Sequence, residues 1–196
     1  MKVTITGQEG FIGYHLYNSI KYQFQDIQLI NFKKDYFKND NKIDKAIIDS
    51  DIIIHLAGVN RSEDQNYLYN ENISLGEKII YSIKRTNFRG KLIFASSIQE
   101  DCDNNYGKAK KSTREFFYNE SLNCGFDFIG LIIPNVFGPF CKTNYNSFIS
   151  TFSDNLINGK VNLIIDDKVV PLLYVNNLVN EIISCFRSES NPKKII

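Results

Sequence analysis

Histidine is scarce. Only His15 and His55 occur in the chain, so a histidine-built metal centre is not expected and no metal site is assigned. The four cysteines, Cys102, Cys124, Cys141 and Cys185, are scattered without paired spacing. That argues against a zinc site or a disulfide framework and for reduced thiols in a cytoplasmic protein. The formal net charge is only +1, which gives neither nucleic acid nor an acidic membrane surface a reason to bind. No apolar run approaches the ~20 residues of a membrane helix. The opening stretch Met1–Gly7 is broken too soon for a signal peptide. Internal repeats, linkers and low-complexity tracts are absent as well. What remains is a chain of 196 residues with ordinary apolar and charged fractions, enough for one domain that buries roughly 70% of its unfolded surface.

Apolar patterning alternates between two periods. Lys2–Thr6, Ile27–Phe32, Asp51–Leu56, Leu92–Ser96, Phe126–Ile133 and Val161–Ile165 read as strands. Helical spacing marks Phe11–Ile20, a short segment around Ile43, Ile47 and Ile48, residues 64–87, Tyr106–Asn123, Ser147–Ile157 and Val175–Phe186. Residues 33–42 read as loop, and the polar tail after Arg187 as frayed. Strands alternating with helices imply an α/β fold with a doubly wound parallel sheet of Rossmann type. The unbroken β-branched run Ile52-Ile53-Ile54 fits a central strand covered on both faces.

Gly7, Gly10 and Gly13 follow the first strand directly and open the first helix. A strand, a glycine turn and a helix N-terminus make an anion site, because free backbone N–H groups and the helix dipole converge there. Gly7, Gly10, Phe11, Ile12 and Gly13 are therefore candidates for holding a dinucleotide diphosphate. The spacing is similar to that of the extended short-chain dehydrogenases. A carboxylate ending the second strand would bind the ribose 2′-hydroxyl of NAD. Here the strand runs into Asn31-Phe32-Lys33-Lys34, which favours NADP(H), with Lys33 at the 2′-phosphate, over NAD(H).

Tyr106 and Lys110 stand one helical turn apart in Tyr-Gly-Lys-Ala-Lys, and Ser96-Ser97 closes an upstream strand. A free tyrosine has a pKa of about 10, and a cation ~4 Å away contributes about 4 kcal/mol, roughly three pKa units. Lys110 is thus expected to bring the Tyr106 phenol toward neutral pH, while Ser97 steadies the reacting oxygen. The set Ser97, Tyr106 and Lys110 resembles the short-chain dehydrogenase active site. Sugar dehydratases of that superfamily carry an Asp-Glu pair directly after the catalytic serine or threonine. Ile98 and Gln99 stand there instead, which disfavours dehydration and leaves carbonyl reduction or epimerisation.

Four segments sharpen the resemblance: His55–Arg61, Ser96–Gln99, Pro134–Gly138 and Cys141–Ser147. Together they resemble the capsular-polysaccharide reductases that make a precursor of UDP-N-acetyl-L-fucosamine. The resemblance implies NADPH-dependent reduction of the 4-keto group of a UDP-2-acetamido-2,6-dideoxy-hexos-4-ulose. It also implies that Leu56, Ala57, Gly58 and Pro134 line the cofactor, Lys110 holds the nicotinamide ribose, and Asn60, Arg61, Asn135, Asn144 and Ser147 face the sugar nucleotide. The chain departs from that family in three ways. It lacks the metal-binding, cupin-like epimerase domain, and it stops soon after Tyr174-Val175-Asn176-Asn177, so the C-terminal substrate region reads as truncated. Asn176-Asn177 also replace two aspartates, and Ile132 an expected arginine. The expected organisation is a single domain over 1–196, with a cofactor core to about residue 135 and a partial substrate region over 136–196. A homodimer through the Tyr106 helix and a separate epimerase partner are compatible with this. So are two rival functions: a nucleotide-sugar 4-epimerase with bound NAD, and an inactive cofactor-holding partner of a separate epimerase.

Overall fold

A computed structural model of the chain describes residues 1–145, 147–164 and 167–196. Its centre is a six-stranded sheet built from β1 (Lys2–Thr6), β2 (Gln28–Ile30), β3 (Ile52–His55), β4 (Lys91–Ser97), β5 (Asp127–Ile133) and β8 (Asn191–Ile195). All strands are parallel, in the order β2-β1-β3-β4-β5-β8. A separate parallel pair joins β6 (Asn135–Phe137) to β7 (Leu172–Tyr174). The helices are α1 (Phe11–Gln23), α2 (Asp40–Ile48), α3 (Gln65–Thr86), α4 (Asn105–Cys124), α5 (Phe148–Ile157) and α6 (Val175–Ser184).

The period-2 alternation of the central strands explains how one apolar run serves two cores. Ile52, Ile54, Ile93, Ala95, Ile129, Leu131 and Ile133 point to one face, where Leu16 and Ile20 of α1 and Leu178, Val179 and Ile182 of α6 meet them. Ile53, Leu92, Phe94 and Phe128 point to the other, against Ile43 and Ile47 of α2, Ile79, Ile80 and Ile83 of α3 and Phe117 of α4. Helix ends are fixed by side chains. Asp64 caps α3 by accepting from the N–H of Asn66 and of Tyr67, each at 2.9 Å, and Asn104 caps α4 by accepting from the N–H of Gly107 at 2.8 Å. None of the helices searched among the described residues is long and apolar enough to cross a membrane.

Four sequence expectations are corrected. The tail after Arg187 is ordered: β8 pairs with β5, and the Ile196 N–H donates to the Ile132 carbonyl at 3.2 Å. Its sequence Asn-Pro-Lys-Lys-Ile hides the strand, because a proline gives the ladder no N–H and fits a strand only where one edge is unpaired. Residues 161–164 of the expected strand Val161–Ile165 form no strand, and Ile165 lies outside the described residues. The stretch 33–42 is not plain loop, since Lys34–Lys38 form a 3-10 turn that buries Phe37, and α2 starts at Asp40. The second strand is also shorter than expected, ending at Ile30.

Candidate active site

The chain reverses its direction of travel across the sheet at β1: β2 lies on one side and β3 on the other. Ligands of open parallel sheets bind above the carboxyl ends of the strands at such a point. The glycine turn sits there. Gly7 is left-handed (φ 74°), and a Cβ on it would stand 2.8 Å from the Ala57 nitrogen. A Cβ on Gly13 would meet the Gly7 carbonyl oxygen at 2.2 Å. The two glycines thus let α1 press against the turn and the turn against the loop after β3. Gly10 is the N-cap of α1 and contributes no side-chain cap, and no acidic residue occupies the first turn of that helix. The N-terminus of α1 thus carries no side chain that would compete with an anion, which fits a dinucleotide diphosphate. Ile12 packs into the core beneath, and the Phe11 ring meets His15 edge-on.

The end of β3 is locked to β1. Thr6 Oγ1 hydrogen-bonds His55 Nδ1 at 2.8 Å and accepts from the Ala57 N–H at 3.2 Å. His55 is buried against Phe94, and burial, with the Lys110 charge second, drives its pKa down to about 3, so it stays neutral. Beyond it, Asn72 of α3 accepts from the Val59 N–H and donates to the Val59 carbonyl, pinning the loop that carries Leu56, Ala57 and Gly58. Asn72 was not singled out from sequence, although an asparagine within the apolar stripe of Leu68, Leu75 and Ile79 is a visible signal of a buried polar anchor.

Ser97 ends β4, buried, and its Oγ accepts from the Gln99 N–H at 3.2 Å. Tyr106 lies in the first turn of α4, and Lys110 follows on the same face. Lys110 is buried. Its Nζ donates to the Ala95 carbonyl at 2.9 Å, lies 4.8 Å from the Phe94 ring centroid and 5.7 Å from that of Tyr106, and a Cβ on Gly58 would stand 3.5 Å away. One ammonium therefore borders both the loop after β3 and the phenol. Burial lowers its pKa to about 8, against a raising influence from Glu100.

The expectation for Tyr106 is overturned. Burial first, and neighbouring Tyr145 second, push the phenol up to about 12 rather than toward neutrality. The physical reason is placement: the Lys110 ammonium stands over the ring and gives a hydrogen bond to Ala95, so its attraction does not outweigh the desolvation of a phenolate.

The residues expected around a substrate separate into two groups. Arg61, Asn144 and Ser147 line one cavity of about 380 Å³ together with Tyr145, Phe148 and Phe152. Arg61 donates to the Asn144 carbonyl at 3.3 Å, and Ser147 is the N-cap of α5. Asn60 is exposed in the preceding loop, Pro134 separates β5 from β6, and Asn135 opens β6. Asn146 lies outside the described residues. A larger recess of about 620 Å³, bordered by Lys2, Asp26, Asp49 and Asp51, opens at the amino ends of the strands. It is far from every group just described and at the wrong edge for a parallel sheet. Lys33 follows β2, exposed and close enough to Asp35 for its charge to hold that carboxyl below the ordinary range, after Lys42. The end of β2 reaches the glycine turn through Asn31, whose Oδ1 accepts from Gln8 Nε2 at 3.5 Å.

The sequence profile of the NAD dependent epimerase/dehydratase family matches residues 3–195. The chain belongs to that family. A UDP-2-acetamido-2,6-beta-L-arabino-hexul-4-ose reductase of Pseudomonas aeruginosa is 29% identical over 180 residues, covering 91% of this chain and 48% of the relative. The capsular polysaccharide assembling protein CapF of Staphylococcus aureus matches the whole chain at 25% identity and a TM-score of 0.79, over 52% of its own length. RMD from Pseudomonas aeruginosa, solved with NADPH, matches at 15% identity and a TM-score of 0.87 over 76% of its length, a likeness of fold. This family member therefore spans about half the length of the first two relatives.

Proposed function

We propose that the protein is an NADPH-dependent reductase of the 4-keto group of a nucleotide-activated deoxy amino sugar, a UDP-2-acetamido-2,6-dideoxy-hexos-4-ulose, in capsule or O-antigen synthesis. The observation that carries this reading is the Lys110 ammonium, set between the Tyr106 ring and the Gly58 loop, on the sheet edge that bears the glycine turn. The 29% identity to a UDP-sugar 4-ketose reductase supports the substrate class.

In this reading the N–H groups of Phe11–Gly13 hold the diphosphate, the Gly10 N–H being donated to the Gly7 carbonyl at 2.9 Å, and Leu56, Ala57, Gly58 and Pro134 line the cofactor. The cofactor, when bound, supplies the hydride. Ser97 donates a hydrogen bond to the carbonyl oxygen, and Tyr106 delivers the proton to it. A phenol held up to about 12 is protonated throughout the physiological range, the form that a reduction consumes. Lys110 holds the nicotinamide ribose and offsets charge as it develops on the phenol oxygen. Arg61, Asn144 and Ser147 face the sugar nucleotide from the cavity they share.

The direct test follows NADPH oxidation with the product of a UDP-N-acetylglucosamine 4,6-dehydratase. Stoichiometric oxidation with conversion of the 4-keto sugar to an alcohol is the expected result. Tight NADPH binding without oxidation of any 4-keto nucleotide sugar would make the chain a cofactor-holding partner instead. Lys33 is the test of cofactor choice. Lys33→Glu is expected to raise the dissociation constant for NADPH about tenfold, one charged contact's worth, and to leave that for NADH nearly unchanged. Equal effects on both cofactors would remove Lys33 from the 2′-phosphate.

A further inference from the structure

The row formed by Tyr106 and Lys110 continues one turn further along α4 to Arg114. Arg114 is buried, with 8% of its side chain exposed, and grips Glu100 through three hydrogen bonds of 2.8–3.0 Å. Glu100, with 1% of its side chain exposed, belongs to the 3-10 turn Ile98–Asp101 that leaves β4 directly after Ser97. Its carboxylate also accepts from the Ser96 hydroxyl. On the far side, Arg114 Nη1 donates to the Pro192 carbonyl of β8 at 3.2 Å. Gly130 of β5 makes room for this: a Cβ there would stand 2.8 Å from the Arg114 stem and 2.5 Å from the Pro192 oxygen. The β5–β8 register shifts at the same place. A single ion pair thus joins the strand end that carries Ser97, the helix that carries Tyr106 and Lys110, and the outer strand.

A buried ion pair is seldom kept for stability, since an apolar pair of equal volume often serves as well. Charge counting gives this one another use. Among the described residues, the ionisable groups around Lys110 are Tyr106 and Arg114 on its own helix, His55 from β3, and Glu100 from the 3-10 turn. Tyr106 and His55 are neutral, and Glu100 is the charge that raises Lys110 against its burial. We propose that Glu100 is a positioning residue for the reacting set: its grip on Arg114 holds the strand end that presents Ser97 against the helix that presents Tyr106 and Lys110, with its carboxylate placed to act on that lysine. The proposal rests on the reading of Ser97, Tyr106 and Lys110 as the reacting set. Electrostatics agrees with the geometry, because the Glu100 charge is the influence that opposes the burial of Lys110.

Two variants test it: Glu100→Gln, and Glu100→Gln combined with Arg114→Gln. The protonation midpoint of Lys110 is read by side-chain lysine NMR, which needs no substrate, and turnover and KM are read separately. In the single variant the Glu100 charge that raises Lys110 is lost, so the midpoint should fall from about 8 by at least about one pH unit. Turnover near neutral pH should then drop about tenfold with KM for NADPH little changed. In the double variant the Glu100 charge is equally absent, and the midpoint should stay within about half a unit of the single variant's. A purely structural role would lower stability and leave the midpoint at the wild-type value. A wild-type midpoint in either variant would overturn the proposal. Should the single variant fail to fold, the double variant decides alone by the same criterion. Absence of NADPH oxidation in the wild type would instead count against the reductase reading, and the NMR result separates the two failures.

Discussion

Tyr106→Phe is expected to lower turnover by about three orders of magnitude, the range of a lost general acid, while NADPH binding stays within about twofold of wild type. The substitution removes one oxygen from a side chain whose ring remains packed beside Lys110, so the glycine turn and the Gly58 loop keep their shapes. Single-turnover NADPH oxidation measures the first quantity and a fluorescence titration the second. A loss of binding equal to the loss of rate would show the tyrosine to be a structural post rather than a proton donor. The pH profile gives an independent arm. Lys110 carries its charge below about 8 and loses it above, so wild-type turnover should decline as pH rises through that value. Stability moves the other way. The folded-state pKa of this lysine lies below its ordinary value, so its buried charge costs stability at neutral pH, and that cost is relieved as pH rises from about 8 toward 10.5.

Arg114→Met should cost about 3–5 kcal/mol of stability, because removing one member of a buried pair strands the other. The stranded group is Glu100, which then keeps the Ser96 hydroxyl as its one side-chain partner among the described residues. The exposed Lys42–Asp35 pair offers the contrast: breaking it should leave stability nearly unchanged. Denaturant titration of both variants measures the two effects. Similar small losses would mean that water reaches Glu100 freely. Replacing Glu100 by Leu together with Arg114→Met should recover most of the deficit, since neither charge is then left alone.

Much of this arrangement was legible in the sequence because its signals are local. The run Ile52-Ile53-Ile54 announces a strand covered on both faces, and both core clusters do use its alternate residues. Gly7, Gly10 and Gly13 locate the strand-to-helix turn, and Asn123-Cys124-Gly125 the end of α4. Arg61, Asn144 and Ser147, more than eighty residues apart at the extremes, were matched through a family resemblance and do share one cavity. What escaped depends on partners that sequence does not display. β8 looks like a charged tail until β5 supplies its ladder. Glu100 and Arg114 sit in different elements, and either read alone is a surface charge. The Tyr106 phenol misled for a related reason: spacing puts a cation one turn away, yet only the fold decides whether that cation lies at the oxygen or over the ring.

The sheet order carries a consequence for how the chain acquires its shape. Each neighbouring pair of strands is parallel, and β8 reaches β5 across an excursion through β6, α5, β7 and α6. Such long-range closures come late and slowly. Until β8 docks, the apolar flank of β5 from Phe128 to Ile133 is an open template for another molecule's strand. Once docked, β8 covers that flank and becomes the outer edge itself, where Pro192 and the exposed Lys193 make a poor template for a further strand.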